Sequence, residues 1–371
     1  MVEIVEANTR KLMKEFAKFP CDLYKGNPYY VPSLRGDDVN MTDPKKNFNA
    51  RFCDIKCFLA YKDGKVVGRI AGIIHKKFNE VYSKKQIRFS RFDFIDDIEV
   101  SRSLLEAVEK FGRENGMEYM DGPWGFNDTD REGMLTMGFD KRATYATNYN
   151  FDYYPEHMKK LGFKDESIWS EFKFQIPDKP DEKVSKMAEL LKKKFELRDI
   201  TEEMSFKEFK NKYTDEFFDI FNQCYRHLDN YIDIEGEEKK NVIKQFATII
   251  NEKYYSVIVN KNDELVAFGI TIPSLANALI KSRGHYSLGL VKAIMAPKEL
   301  ECALIGVRPD YQKRGISIIM IDKILNNIIK NKIKSVESNP MLLTNSSIRA
   351  QFSHFPHDEI KKRQSFIKYL D

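Results

Sequence analysis

The clearest pattern in the chain is an apolar run followed by a polar loop and a helical stripe after residue 300. Residues from Cys302 to Val307 are all apolar or small, which is typical of a buried strand. Pro309 then indicates a turn. Beyond it, apolar residues recur at helical spacing, which predicts a helix with one apolar face. These residues are Ile321, Ile324, Leu325, Ile328 and Ile329.

The same order of elements is predicted twice along the chain. Alternating apolar residues indicate one hairpin within residues 55–74 and another within residues 254–272. In each half, a strand and a helix come before the hairpin, and a strand, a helix and another strand follow it. A stretch with two prolines and several charges, residues 174–183, lies between the halves. We therefore predict two similar α/β domains, residues 1–178 and residues 186–371.

The loop between the strand and the helix after residue 300 is basic and contains one glycine. A glycine at the start of a helix lets the backbone approach a ligand, and the first amide groups of the helix point outward. With the helix dipole and the charges of Lys313 and Arg314, these amides can bind a pyrophosphate. The sequence excludes a P-loop, which needs Gly-Lys-Ser/Thr, and a dinucleotide-binding loop, which needs three glycines. A loop that only caps a core helix is the simpler alternative.

This loop and the strand before it resemble the cofactor-binding motif of the GNAT family of N-acetyltransferases. Val307 and Pro309 match the Val-x-Pro end of the strand. Gln312 and Gly315 match the loop pattern Gln/Arg-x-x-Gly-x-Gly/Ala, whereas Ser317 replaces the final Gly or Ala. The resemblance implies an α/β fold of two tandem GNAT-like domains, each a mixed, mostly antiparallel twisted sheet flanked by helices.

The resemblance also implies acetyl-CoA or another acyl-CoA as co-substrate. Its pyrophosphate is expected on the amides of residues 313–318, and its pantetheine arm along the strand where that strand splays from its neighbour. Gly306 suits a bulge or a close approach in that strand. The cofactor-binding residues implied in this way are Ile305, Gly306, Val307, Gln312, Lys313, Arg314, Gly315, Ile316, Ser317 and Asn345.

Acyl transfer to an amine needs a base, because an aliphatic amine with a pKa of about 10.4 is protonated near pH 7. Glu337 is our first candidate and Glu301 the second, since both can face the split beside the strand. A surface or capping role for Glu337 is the open alternative. Where many GNAT proteins have a tyrosine that protonates the leaving thiolate, this chain has Phe352. Another group or water must then supply the proton, or activity is weak or absent.

The first half lacks the basic glycine loop. At the matching position it has Asp96, Asp97 and Glu99, which suit a helix N-terminus but repel a diphosphate. We therefore expect one CoA per chain, bound by the second half.

An irregular loop is predicted at residues 121–133 from its Gly and Pro content. A plain turn is one interpretation. The other is a wall of the acceptor pocket, in which Trp124 and Phe126 supply aromatic surface. Asp128 and Asp130 would then attract a cationic amine.

Composition limits the partners. The chain of 371 residues has 61 basic and 56 acidic residues without a basic stripe, so nucleic-acid binding is not expected. We also expect no membrane span and no secretory leader. Five scattered cysteines indicate reduced thiols and a cytoplasmic protein, and no zinc-like cluster predicts a metal. A small-molecule or peptide amine is the predicted partner, whereas the acyl length and the oligomeric state stay open.

Two other functions are compatible with this pattern. A protein that senses acyl-CoA without consuming it needs the same loop but no base. A Fem-type aminoacyl transferase has a similar tandem plan, yet it takes its acyl group from aminoacyl-tRNA and needs no basic pyrophosphate loop. Residues 312–317 therefore favour coenzyme A over aminoacyl-tRNA.

Overall fold

The computed structural model describes residues 1–127, 130–345, 352 and 355–370. In this part of the chain, fourteen strands form one sheet. The strands are β1 (Glu3–Glu6), β2 (Cys53–Lys62), β3 (Lys65–His75), β4 (Gln86–Phe94), β5 (Tyr119–Gly122), β6 (Met134–Met137), β7 (Lys164–Phe174), β8 (Arg198–Asp199), β9 (Tyr255–Val259), β10 (Leu265–Pro273), β11 (Glu299–Val307), β12 (Ser335–Ser338), β13 (Met341–Leu342) and β14 (His357–Tyr369).

Helices cover the sheet on both faces. They are α1 (Arg10–Leu23), α2 (Arg35–Val39), α3 (Lys76–Val81), α4 (Ile98–Glu114), α5 (Tyr153–Lys160), α6 (Glu182–Phe195), α7 (Phe206–Tyr225), α8 (Glu237–Ala247), α9 (Ala276–Ser282), α10 (Leu288–Met295) and α11 (Ser317–Lys330). Of the helices described, none combines the length and the apolarity that a membrane span requires.

The predicted repeat is confirmed by the order of the strands. The first half contains the neighbours β1-β2-β3-β4-β5, and the second half contains the neighbours β8-β9-β10-β11-β12. In each run the strands are antiparallel except for the last pair, which a helix connects and which is parallel. Both runs thus make a mixed, mostly antiparallel sheet.

The two halves exchange strands at the centre of the sheet. β14, at the end of the chain, lies between β5 and β7, whereas β7, from before the linker, lies between β14 and β12. The linker predicted at residues 174–183 does separate β7 from α6. However, segments 1–178 and 186–371 each contribute a strand to the other's part of the sheet. The domain boundary therefore stays a prediction, because strands from both segments belong to one continuous sheet.

A buried ionic cluster holds the exchanged strands together. On β14, the ammonium group of Lys361 lies 2.8 Å from a carboxylate oxygen of Glu171 on β7, and the guanidinium of Arg363 pairs with the other oxygen. All three residues have 0% exposure. Lys361 also lies 3.2 Å from the carboxylate of Glu337 on β12. One cluster therefore ties β14, β7 and β12 together.

The apolar stripe predicted for α11 divides into two parts. Ile324 and Ile328 are buried against the sheet with Leu300 and Val336. Ile321 and Leu325, on the edge of the stripe, are only half-buried. That edge faces an opening in the sheet.

Candidate functional site

The last two strands of the second half separate from each other. β12 pairs with β11 only from Glu299 to Cys302. At Ala303 the register between β11 and β10 shifts by one residue, which is a β-bulge. Residues 304–307 continue along β10, and no described strand pairs with their other edge. The sheet therefore has a wedge-shaped opening in which backbone groups of β11 are available to a ligand.

Gly306 lies beside this opening, and close packing explains why this residue is a glycine. A Cβ atom at this position would come within 2.5 Å of the Phe268 ring. Phe268 is fully buried and packs against Phe217, with ring centroids 4.3 Å apart. A side chain at residue 306 would displace this core ring. The bulge predicted as one role of Gly306 is instead at Ala303, and a close approach of a ligand at Gly306 stays a prediction.

The basic loop leads from β11 into α11. Gly315 has φ +78°, a conformation that favours glycine. Within the described chain, the amides of residues 313–316 donate no hydrogen bond. Gln312 fixes the loop to the strand, because its side-chain amide donates to the Val307 carbonyl at 2.9 Å. The loop thus presents unused amides at the N-terminus of a 14-residue helix, which is the arrangement that binds phosphates.

A cavity of about 1240 Å³ passes through the opening between β11 and β12. On the α11 side, its apolar lining includes Phe174, Ile176, Met320, Ile321, Ile324, Leu325 and Phe352. On the side of α7 and α8, its apolar lining includes Leu228, Val242, Phe246, Ile249, Ile270 and Leu304. Charged residues of the first half face this second side, and they include Asp37, Asp38, Arg91, Asp130, Arg131 and Glu132. The volume exceeds the roughly 300–1,000 Å³ of an ordinary ligand pocket.

Known structures share this architecture. A tandem GNAT protein from the clavulanic acid biosynthesis pathway superimposes with a TM-score of 0.59, covering 100% of this chain and 99% of that one at 9% identity. This chain has the tandem GNAT fold. Its opening between β11 and β12 and its loop at Gly315 lie in the second GNAT unit.

Comparison with curated sequences gives two distant relatives. Protein YghO of Escherichia coli K12 is 23% identical over 380 residues, which cover 96% of this chain and 93% of that protein. The bacterial ceramide synthase of Caulobacter vibrioides is 23% identical over 163 residues, which cover 44% of this chain and 42% of that protein. No protein-family model matches the chain.

The two predicted bases of the second GNAT unit lie side by side. Glu301 and Glu337 are register partners on β11 and β12. Glu301 is 1% exposed, and both its carboxylate oxygens accept the Tyr145 amide proton at 3.1 Å. Glu337 is instead bonded to Lys361. Neither carboxylate is part of the cavity wall, which the adjacent Cys302 and Val336 form. A proton route from the cavity to either base therefore needs water or a side-chain rotation.

Burial gives Glu301 an unusual pKa. The pKa of Glu301 is raised to about 7, chiefly because burial removes its hydration and in smaller part because of the charge of Glu337. Hydrogen bonds from Tyr145 and Ser274 and the charge of Lys361 oppose the rise. A carboxyl group with this pKa exchanges its proton near neutral pH, which suits a general base. The two candidate bases thus differ, since Glu337 has a cationic partner and Glu301 is held by uncharged donors.

Glu301→Gln is expected to stabilise the protein more as the pH rises. The folded-state pKa is raised, so ionisation of Glu301 opposes folding once the pH exceeds the ordinary glutamate value of 4.5. The full cost, about 3 kcal/mol, is reached above pH 7. Urea denaturation should show the variant more stable by about 3 kcal/mol at pH 8 and by less than about 1 kcal/mol at pH 5. An equal gain at both pH values would mean that folding does not raise the pKa of Glu301.

Of the two aromatic residues predicted to form a wall of the acceptor pocket, Phe126 lines the cavity and Trp124 does not. Trp124 is 2% exposed and lies behind Trp169, with ring centroids 5.1 Å apart in an edge-on arrangement. Trp169, on β7, provides the indole surface of the cavity instead. Of the two acids proposed to attract an amine, Asp130 lines the cavity, and Asp128 lies outside the described residues.

The remaining predicted contacts lie after β12. Asn345 follows β13, and its backbone amide donates to the Leu342 carbonyl at 3.0 Å. Phe352 packs against Phe174, with ring centroids 5.0 Å apart, so it contributes only apolar surface to the cavity. Asn339 was not predicted, yet it lines the cavity with a buried side-chain oxygen that accepts no hydrogen bond from the described residues. Its position directly after β12 is the only sequence signal for it.

In the first GNAT unit, the residues at the position that matches the basic loop bond to other residues of the protein. Asp97 caps α4 by accepting the Glu99 amide at 3.0 Å. A hydrogen bond from Lys62, 2.7 Å away, also keeps the pKa of Asp97 below its usual value. Asp96 lies 3.1 Å from the His157 ring. These carboxylates stabilise the start of the helix, at the position where the second unit has its basic loop.

Proposed function

We propose that the protein transfers an acyl group from coenzyme A to an amine. The observation that supports the proposal is that the open edge of β11 leads along the chain into a loop whose amides, residues 313–316, donate no hydrogen bond within the described chain. The amides suit the pyrophosphate, with Lys313 and Arg314 adding positive charge. The open edge suits the pantetheine arm, whose amide groups can bond to a strand edge as a peptide would. The tandem GNAT fold supports acyl transfer from CoA in general.

The catalytic base is proposed to be Glu301 or Glu337. Deprotonating an aliphatic amine with a pKa near 10.4 costs roughly 4.6 kcal/mol at pH 7, so a positioned base gives a large advantage. The raised pKa of Glu301 favours it over Glu337, whose carboxylate Lys361 holds. An ordered water can connect either group to the cavity.

The acceptor is proposed to be an amine with a long apolar chain. The α8 side of the cavity has an apolar floor that includes Phe246 and Ile249, opposite carboxylates that include Asp37 and Asp130. Asp130 already pairs with Arg91 at 3.2 Å, so the Asp37 carboxylate is the partner proposed for the ammonium group. Each methylene buried on the floor contributes roughly 0.8 kcal/mol. Similarity to a ceramide synthase supports this class of acceptor, since ceramide is an amide of a long-chain amine.

An assay of amide formation tests the proposed function. Purified protein would be incubated with acetyl-CoA or palmitoyl-CoA and with dodecylamine or ethanolamine, and thiol release and the amide product would be measured. We expect amide formation with a clear preference for dodecylamine. Replacing the true base, by Glu301→Gln or Glu337→Gln, should lower the rate by about 100-fold or more and leave CoA affinity nearly unchanged.

Two results of this assay would favour a different function or a different base. CoA binding without amide from any amine would support the acyl-CoA-sensing function over an enzyme. Full rates in both Gln variants would show that water or another residue is the base.

A further inference from the structure

The hydroxyl group of Tyr225 occupies the open edge of β11. The Ile305 amide donates to the Tyr225 hydroxyl oxygen at 3.2 Å, and that hydroxyl donates to the Ile305 carbonyl at 3.3 Å. These are the backbone groups that a neighbouring strand would otherwise bond. A side chain from the last residue of α7 thus takes the place of a backbone partner inside the opening.

The surrounding residues fix the Tyr225 ring and close the edge beyond it. The ring stacks on Phe221 with a centroid distance of 4.3 Å and an angle of 13°. The Val307 carbonyl already accepts from Gln312 at 2.9 Å and from the Cys224 thiol at 3.3 Å. Tyr225 itself lines the cavity. The Ile305 amide is therefore a donor on the cavity side that one hydroxyl movement makes available to a ligand.

We propose that Tyr225 is a catalytic residue, and that its hydroxyl and the Ile305 amide together bind the thioester carbonyl oxygen of acyl-CoA. The proposal rests on the acyl-transfer function proposed above. The Ile305 amide now donates to the Tyr225 hydroxyl, 3.2 Å away, so the hydroxyl must first move aside; both groups can then donate to one oxygen at about 2.9 Å. Such a pair is an oxyanion hole, because it stabilises the charge that develops on that oxygen. The carbonyl oxygen would replace the present bond between the hydroxyl and the amide.

In the proposed reaction, Tyr225 donates a hydrogen bond throughout and loses no proton. The amine nitrogen adds to the thioester carbon, and the electron pair of the carbon–oxygen π bond moves to the oxygen that both donors hold. The base takes the proton that the nitrogen loses. When the carbonyl reforms, the carbon–sulfur bond breaks, and the departing thiolate takes a proton from the solvent or from the protonated base. The products are one amide and one CoA thiol.

Tyr225→Phe tests this role because it keeps the ring and removes only the hydroxyl. We expect kcat to fall by about 10²–10³-fold, the loss typical of one oxyanion-hole donor, with little change in KM for acyl-CoA. A second readout needs no acceptor. Acetyl-CoA labelled with ¹³C at its carbonyl should show a downfield shift when bound to the wild type, and a smaller shift when bound to Tyr225→Phe.

Tyr231→Phe is the matched control. Its ring also lies near Phe221, at 6.0 Å, but its hydroxyl bonds the Asn222 side chain at 2.5 Å and not the open edge. This variant should keep the wild-type kcat and carbonyl shift. Equal carbonyl shifts in the wild type and Tyr225→Phe, or a change in KM alone, would overturn the inference and leave acyl transfer intact. Absence of acetyl-CoA binding by the wild type would overturn both.

Discussion

Gly315→Asp is expected to abolish stabilisation of the protein by acetyl-CoA or CoA. The new carboxylate would lie among the amides of residues 313–316, where the pyrophosphate is proposed to bind, and would repel it. For the wild type, ligand at 100 times its dissociation constant adds roughly 2.7 kcal/mol to the free energy of unfolding. Thermal denaturation with and without ligand should show this gain in the wild type and none in the variant.

Gly116→Asp controls for the backbone strain in that experiment. Gly116 has φ +72°, close to the +78° of Gly315, and a Cβ atom there would meet no other atom within 4 Å. Both variants should lose stability without ligand, because an aspartate in this conformation is strained in each. Only Gly116→Asp should keep the ligand effect. Equal stabilisation of both variants by CoA would remove the loop from the binding site.

Glu171→Gln is expected to lower the free energy of unfolding by about 3–5 kcal/mol. The change keeps the shape of the side chain but leaves the charges of Lys361 and Arg363 buried without their main counter-ion. The loss should affect both halves at once, since this cluster joins β7 to β14. Urea denaturation followed by circular dichroism at pH 7 would measure it.

Lys362→Met provides the control on the same strand. Lys362 pairs with Glu359 at 3.3 Å, but the two side chains are 39% and 35% exposed, so its loss should cost no more than about 1 kcal/mol. The effect of Glu171→Gln should also shrink in acid. Burial alone would raise the pKa of Glu171, but Arg363 and Lys361 hold it below its usual value. The contribution of Glu171 to the free energy of unfolding is therefore present above pH 5 and is lost as the pH falls through that lowered pKa. Equal costs for the two variants at pH 7 would show that the buried cluster contributes no more than a surface pair.

Local patterns in the sequence were sufficient for the strand, loop and helix after residue 300. The apolar run, Gly315 and the stripe on α11 are each encoded within a few residues, and α11 begins where the loop predicts. The repeat was also predictable, because hairpins and helices have periodic signals in both halves.

Long-range features had no such signal. Nothing in the composition of β14 indicates that it lies beside β5 and β7, since strand partners are set by packing across the whole chain. Tyr225 reaches Ile305 across 80 residues of sequence, and the burial of Glu301 depends on the Tyr145 backbone from the first half. The parts of the site that come from distant segments were therefore absent from the prediction.

A crystal structure with acetyl-CoA would show the proposed binding mode. We predict one molecule per chain, with its pyrophosphate on the amides of residues 313–316 and its thioester in the opening between β11 and β12. The carbonyl oxygen should lie about 2.9 Å from the Ile305 amide. CoA bound at Asp96 and Asp97 in the first half, or a pantetheine arm outside the opening, would contradict this binding mode.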